Sequence, residues 1–414
     1  MASKFQAPRG TFDVLPGPGR ARARVEAAAA ELFARAGYEP IQTPAFEDTD
    51  LFERGVGKST DIVRKEMFSF EDKGERSLTL RPEGTAPICR AYLEHGMHKQ
   101  AQPVKLFYVG PFFRHERPQA GRYRQFHQIG AEAIGSESPL ADAEVIVLLS
   151  DLLGELGVPG VELKLGSLGS LQARREYLEE LRAHLRKHEK DLSADVRERI
   201  DLNPLRAFDA DDEGTRGVMA SAPMLVDQLA GEDAEHFAEV RALLDAAGVG
   251  YTIDGSLVRG LDYYTRTIFT FDCDVLGAQS ELGGGGRYDG LIEQLGGPAT
   301  PAVGWACGIE RILLALDEEI EAAGRDAFVA IAAEGQRQRA VALTRELRRA
   351  GLSAEVDLAG RGLKGQLKHA DRLGARRVLI LEADGSAQLR DMRSGEQRLA
   401  DPGNLVGELT GGGS

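Results

Sequence analysis

Between Phe112 and Glu132 the chain reads FFRHERPQAGRYRQFHQIGAE, the stretch that most narrows what the sequence can fold into. The runs KLFYVGPFFRH and RQFHQIGAEAIG have the aromatic and β-branched content of two strands. ERPQAGRY between them carries Pro118 and Gly121, so the spacing predicts a long antiparallel hairpin. Alternation then puts Phe112, Arg114 and Glu116 on one face of the first strand. On the second, Phe126, Gln128, Gly130 and Glu132 share a face. Such a face is too polar for a core. It fits either a solvated sheet surface with cross-strand ion pairs or the floor of a pocket for a charged, planar ligand.

The rest of the chain bounds that choice. Its 414 residues suffice for two or three domains with large cores. A net charge of -14 argues against nonspecific coating of nucleic acid but leaves room for local basic surfaces. Two exist: Arg114 to Arg124, with four arginines against one glutamate, and Arg361 to Arg377, with six basic residues against one aspartate. The sequence has no run long enough to span a bilayer and no secretory signal, so no membrane partner is expected. RARARVEAAAAELFARAG contains Glu26 and Glu31 and reads as an amphipathic helix rather than a targeting peptide. Cys89, Cys273 and Cys307 are too dispersed for a disulfide framework or a zinc site, which fits a reducing cytoplasm.

Along the chain, a long helix follows Pro18, a turn falls at Gly37, and EPIQTPAFE is strand-like. A second helix begins near Pro82, a third covers about Pro139 to Leu156, and VELKLGSLG reads as a short strand. Residues 171–248 turn charged and helix-periodic, as in a helical insertion. Strand character returns in GYTIDGSLVRGLDYYTRTIFTFDC, and PAVGWACGIERILLAL reads as a strand running into a helix. Gly283 to Gly286 lack the spacing of a nucleotide-binding loop and predict a close approach of strands. From Asp326 strands and helices alternate in a small β/α domain, ending in a hairpin at Asp384-Gly385; the closing TGGGS reads as a frayed tail.

Three further polar islands stand in apparent strand contexts: LTLRPEGTAP, LVRGLDYYTRT and GIER. Each has an ordinary structural explanation. Glu83 can cap a helix, Arg259 can pair with Asp262, and Arg311 can be a surface charge at a helix end. Four such islands in one chain favour a shared pocket.

These residues resemble a known family. FRHERPQAGRYRQFHQ resembles the second signature motif of class II aminoacyl-tRNA synthetases, GWACGIERILLAL the third, and GYEPIQTPAFE the end of the first. LTLRPEGTAP, LVRGLDYYTRTIF and GGGGRYDGL are similar to segments of the histidyl-tRNA synthetase family, and RGLKGQLKHADRLGA to its C-terminal domain. The resemblance implies an α+β fold: a class II antiparallel sheet flanked by helices in residues 1–325, with the helical insertion, then an α/β anticodon-binding domain in 326–414.

It also implies roles. Arg114 and Arg259 become the catalytic cations at the α-phosphate of ATP, and both also meet histidine. Glu116, Phe126 and Arg311 hold adenine, with Arg114 completing the ATP site. Glu83, Gly84, Thr85 and Gln128 surround the histidine ammonium, while Glu132, Tyr263 and Tyr264 orient the imidazole, with Tyr288 close by. Mg2+ accompanies ATP; Glu310 lies near the right place in the motif, but no metal ligand is assigned. Gln119 and Arg122 are expected to meet the acceptor end of tRNA(His), and Arg361, Lys364 and Lys368 its anticodon stem. A homodimer follows from the first motif. The competing reading is a non-catalytic relative, the regulatory subunit of ATP phosphoribosyltransferase, which departs from the histidine boxes and lacks the C-terminal domain. A prolyl or threonyl enzyme of the same class fits LDYYTRT and RPEGTAP less well.

Overall fold

A computed structural model describes residues 5–317, 323–401 and 403–410. The end of the TGGGS tail, residues 411–414, lies outside them. The chain divides into two compact units, Met1–Ile320 and Glu321–Ser414.

The first unit is built on an eight-stranded sheet. In spatial order its strands are Glu39–Pro40, Val104–Phe113, Gln125–Ile134, Ala302–Gly308, Glu281–Arg287, Thr265–Cys273, Val161–Ser167 and Thr252–Ile253. The inner pairings are antiparallel, and the short outer strands are parallel to their neighbours. The hairpin is therefore part of a larger sheet, with Glu39–Pro40 outside it, Phe112 opposite Phe126 and Gly110 opposite Gln128.

Period-two alternation decides what each face carries. Ile129, Ala131 and Ala133 point into an apolar core shared with helices Pro16–Arg35, Pro139–Leu156 and Ile309–Leu316. Apolar residues of the first helix recur at Ala21, Val25, Ala29, Leu32 and Phe33, the spacing of one buried stripe. The opposite face carries Leu106, Tyr108 and Phe112 and packs against helices Thr85–Glu94 and Leu171–Lys187. The helix Gly231–Ala247, at the end of the segment expected to be an insertion, joins the first core through Phe237, Val240 and Leu244.

The glycine run lies in the middle of this sheet. A Cβ on Gly285 would sit 1.9 Å from the Gly304 carbonyl oxygen, so only glycine lets the neighbouring strands close. Two expectations shift. The helix after Pro82 starts at Thr85, because Pro82–Gly84 form the turn that aims Glu83. Residues 254–264 form a loop between strands Thr252–Ile253 and Thr265–Cys273, so Arg259 and both tyrosines sit on a loop. GIER likewise straddles a strand end and a helix start.

The second unit has a five-stranded sheet in the order Ala354–Val356, Ala327–Ile331, Arg377–Leu381, Ala387–Asp391 and Gln397–Leu399. Its first three strands are parallel and the last two antiparallel. Ala327, Val329, Leu379 and Leu381 face helix Arg337–Arg349, whereas Phe328, Ala330, Val378 and Ile380 face helix Leu363–Arg372.

Candidate active site

The polar hairpin face forms the floor of a cavity enclosing about 990 Å³ of empty space, part of it open to solvent. Phe126 and Gln128 line it from strand Gln125–Ile134, while Arg114 and Glu116 line it from the connecting segment, because strand Val104–Phe113 ends before them and they do not continue its face as expected. Glu83, Gly84 and Thr85 come from the turn, Arg259, Tyr263 and Tyr264 from the 254–264 loop, and Glu310 and Arg311 from the helix start. The four islands are thus brought together. Glu132 is fully buried beneath this floor and bonded to lining residue Thr85.

Arg114 is fixed by Nε donation to the Pro82 carbonyl at 2.9 Å, and its guanidinium lies 5.3 Å from the Phe126 ring centre. Arg81, from the same island as Glu83, has another task. Buried, it donates to Pro111 O and Thr43 O at 2.9 Å and holds backbone together.

Glu83 does cap the helix: its carboxylate accepts from Thr85 N at 2.8 Å and Ala86 N at 3.0 Å. It also accepts from Tyr263 Oη at 3.4 Å, so the cap is part of the pocket wall. Burial pushes the Glu83 carboxyl up despite these donors. Glu132 accepts from Thr85 Oγ1 at 2.8 Å and Tyr288 Oη at 2.5 Å. Burial pushes it up to about 8, against the pull of those hydrogen bonds. Burial likewise pushes the Tyr264 phenol up to about 12. This end of the cavity is therefore a dry cage of carboxyls and phenols.

The other end is cationic. Arg259 pairs with Glu281 at 2.7 Å rather than with Asp262. Arg311 is no surface charge: it donates through Nε to Gly121 O at 3.2 Å and through Nη1 to the Glu281 carbonyl. Glu116 is held by Arg122 at 2.6 Å, with Arg114 at 3.9 Å. Arg122, expected at the tRNA end, thus lines the cavity, while Gln119 lies at the bend, paired with Arg122 through main-chain bonds of 3.1 and 3.0 Å. Glu310 accepts from His127 N at 2.9 Å and faces His127 Nδ1 at 3.0 Å. Among the described residues, no group of three or more His, Cys, Asp or Glu side chains could hold a metal.

Several contributors were missed in the sequence. Tyr108, in an aromatic strand, fits only because Gly130 has no side chain: a Cβ there would fall 2.2 Å from the tyrosine ring. Arg174, in helix Leu171–Lys187, donates to the carbonyls of Asp262 at 3.0 Å and Tyr264 at 2.9 Å, pinning the 254–264 loop. Glu281 gave one signal: a lone charge opening a strand of glycines. In the second unit, Arg361, Lys364 and Lys368 are exposed, and Arg361 pairs with Asp357 at 2.6 Å.

The sheet and its two-ended polar cavity define a catalytic domain of the class II aminoacyl-tRNA synthetase type. Residues 10–312 match the family model described as histidyl-tRNA synthetase, and residues 326–411 match that of an anticodon binding domain. The histidine–tRNA ligase of Rubrobacter xylanophilus is 47% identical over 412 residues, covering 96% of this chain and 97% of that protein. The apo histidyl-tRNA synthetase of S. aureus superposes with a TM-score of 0.82 at 37% identity, covering 98% of this chain and 99% of that one. An ATP phosphoribosyltransferase regulatory subunit/histidyl-tRNA synthetase from Bacillus halodurans is 23% identical with a TM-score of 0.66, covering 92% of this chain and 99% of that one, and shares the fold. The chain belongs to the histidyl-tRNA synthetase family.

Proposed function

We propose that the chain joins L-histidine to tRNA(His) in two steps, through a histidyl-adenylate formed from ATP in the cavity of the first unit. One observation carries the reading: a single cavity combines a cationic end, Arg114, Arg259 and Arg311, with an end of Glu83, Tyr263 and Tyr264, beneath which Glu132 is buried. Two residues that line the cavity, Gln128 and Arg259, each keep a buried polar atom, Oε1 and Nε, without a hydrogen-bond partner among the described residues, which suits a site completed by a ligand.

Activation brings a carboxylate against the α-phosphate, two anions that repel. Arg114 and Arg259 offset that repulsion and hold the attack in line, since guanidinium stays charged and matches both oxyanions. Phe126 and Arg311 offer flat surfaces for adenine. Glu116 would accept from its amino group. A neutral imidazole has one donor and one acceptor, which Glu132 and Tyr264 can read, while Glu83, Gly84, Thr85 and Gln128 receive the ammonium. A pocket built on such groups rejects an analogue that leaves them unpaired by roughly 10⁴ to 10⁵ fold.

Glu116, Glu281 and Glu310 are each engaged by Arg122, Arg259 or His127 and form no metal cage among the described residues, so a magnesium ion would come in on the triphosphate. When bound, Mg2+ would neutralise charge on the outer phosphates. Gln119 and the exposed Arg361, Lys364 and Lys368 are assigned to tRNA(His), through phosphate contacts and splayed bases. A homodimer in the cytoplasm completes the reading. Exposed Phe46 and Phe70, with ring centres 6.3 Å apart on a small antiparallel sheet of strands Phe46–Asp48, Ser77–Leu80 and Phe68–Glu71, suit a partner surface, and buried free cysteines suit a reducing compartment. No helix among the described residues is long and apolar enough to cross a membrane.

The test is charging of tRNA(His) with labelled histidine by the unsubstituted chain and by Arg259→His. Charging that disappears in a folded variant supports the assignment. Undiminished charging by the variant contradicts the role of Arg259, and no charging by either points to the non-catalytic regulator.

A further inference from the structure

Glu281 opens the strand Glu281–Arg287 beside the cationic end of the cavity, and the two-step reaction above gives it no role. Its carboxylate accepts from Arg259 Nη1 at 2.7 Å, and its main-chain oxygen accepts from Arg311 Nη1. Its side chain stays 43% exposed, and although partial desolvation raises the Glu281 carboxyl, Arg259 and Arg311, with help from Arg114, outweigh that and hold it below the ordinary glutamate range. Glu281 also lines the adjoining cavity of about 710 Å³, together with Lys164, Arg122 and Asp272. A fixed anion therefore sits among the cations assigned to phosphate.

That placement has two consequences. Pairing through Nη1 orients the Arg259 guanidinium while its buried Nε has no partner among the described residues. It also subtracts one charge from a site that must bind a triphosphate and then release pyrophosphate. A site in which Arg259 and Arg311 lacked this counter-charge would hold both anions more tightly, and tight ground-state binding does not speed the chemical step.

We propose that Glu281 is a positioning residue and an internal counter-ion: it aims Arg259 and weakens the grip of the pocket arginines on phosphate, so that pyrophosphate leaves. The inference rests on the reading of the cavity as the ATP site. Its two parts separate in two variants. Glu281→Gln keeps an acceptor for Arg259 Nη1 but removes the charge; Glu281→Ala removes both.

In histidine-dependent ATP–pyrophosphate exchange, Glu281→Gln should lower the KM for ATP and the inhibition constant of pyrophosphate, each by about fivefold, equivalent to ~1 kcal/mol. Glu281→Ala should lose more than tenfold in kcat, the order expected when a cation loses its aim, and Glu281→Gln should recover most of that loss. Thermal unfolding of both variants, monitored alongside, verifies that they fold. Unchanged ATP and pyrophosphate constants in Glu281→Gln overturn the counter-ion role. Equal kcat in the two variants overturns the positioning role. Absence of histidine-dependent exchange in the unsubstituted protein instead removes the reading on which the inference stands.

Discussion

Replacing Glu132 by Gln should stabilise the ligand-free protein, and increasingly so as the pH rises. Glu132 is fully buried, and burial holds its proton up to about 8. The unfolded chain releases that proton near the ordinary glutamate value of ~4.3. The folded state therefore binds the extra proton between those two values, and linkage makes stability fall with pH across that window. The full difference corresponds to at most ~5 kcal/mol. Relaxation of the polar groups around the buried charge reduces the penalty, and ~2 kcal/mol is the working figure. Gln keeps an acceptor for Thr85 or Tyr288 and never ionises, so it escapes the penalty. At ~2 °C per kcal/mol for a unit of this size, the variant should gain ~4 °C in Tm relative to the unsubstituted protein between pH 5 and pH 9. Paired thermal scans across that range, without histidine, read the difference directly. A Tm difference that stays flat with pH, or grows toward acid, would refute the argument. The same variant should lose histidine-dependent exchange, which makes Glu132 a case where function costs stability.

Arg174→Met should lower exchange at least tenfold while histidine and ATP contacts stay chemically intact, because the two carbonyls it holds belong to the loop carrying Arg259; steady-state kinetics with a near-normal unfolding midpoint tests this. Gly130→Ala should displace Tyr108 and cost ~2 kcal/mol or more, since its Cβ has no room beside the ring; denaturant titration measures it, and a neutral result contradicts the packing. Reversing Arg361, Lys364 and Lys368 to Glu should weaken tRNA(His) binding and flatten its salt dependence by up to about three in slope. Filter binding over a salt series reads that out, and unchanged tRNA affinity sinks the assignment of this helix.

The sequence was most informative where chemistry repeats with a structural period. Strand Val104–Phe113 alternates cleanly in burial, and the period of two carried across to Gln125–Ile134, buried on both faces toward its end, still placed Phe126, Gln128 and Glu132 on one face. The glycine run was also legible, because four unsubstituted residues in succession imply crowding from both sides. Partnerships across distant segments were not. Arg259 had a plausible partner three residues away in Asp262, yet it pairs with Glu281, which a different strand delivers. Arg174 was one arginine among many in a charged helix, and only the fold brings it to the loop. Glu83 taught a related lesson: capping and lining the pocket were posed as alternatives, and the short turn Pro82–Gly84 lets one carboxylate do both.

The central claim is that the cavity selects histidine and activates it with ATP. ATP–pyrophosphate exchange, run with each of the twenty amino acids in turn and without tRNA, addresses both halves at once. The account predicts exchange with histidine and, for every other amino acid, a rate lower by roughly 10⁴ fold or more. Exchange that depends on another amino acid, or no exchange with any, contradicts it.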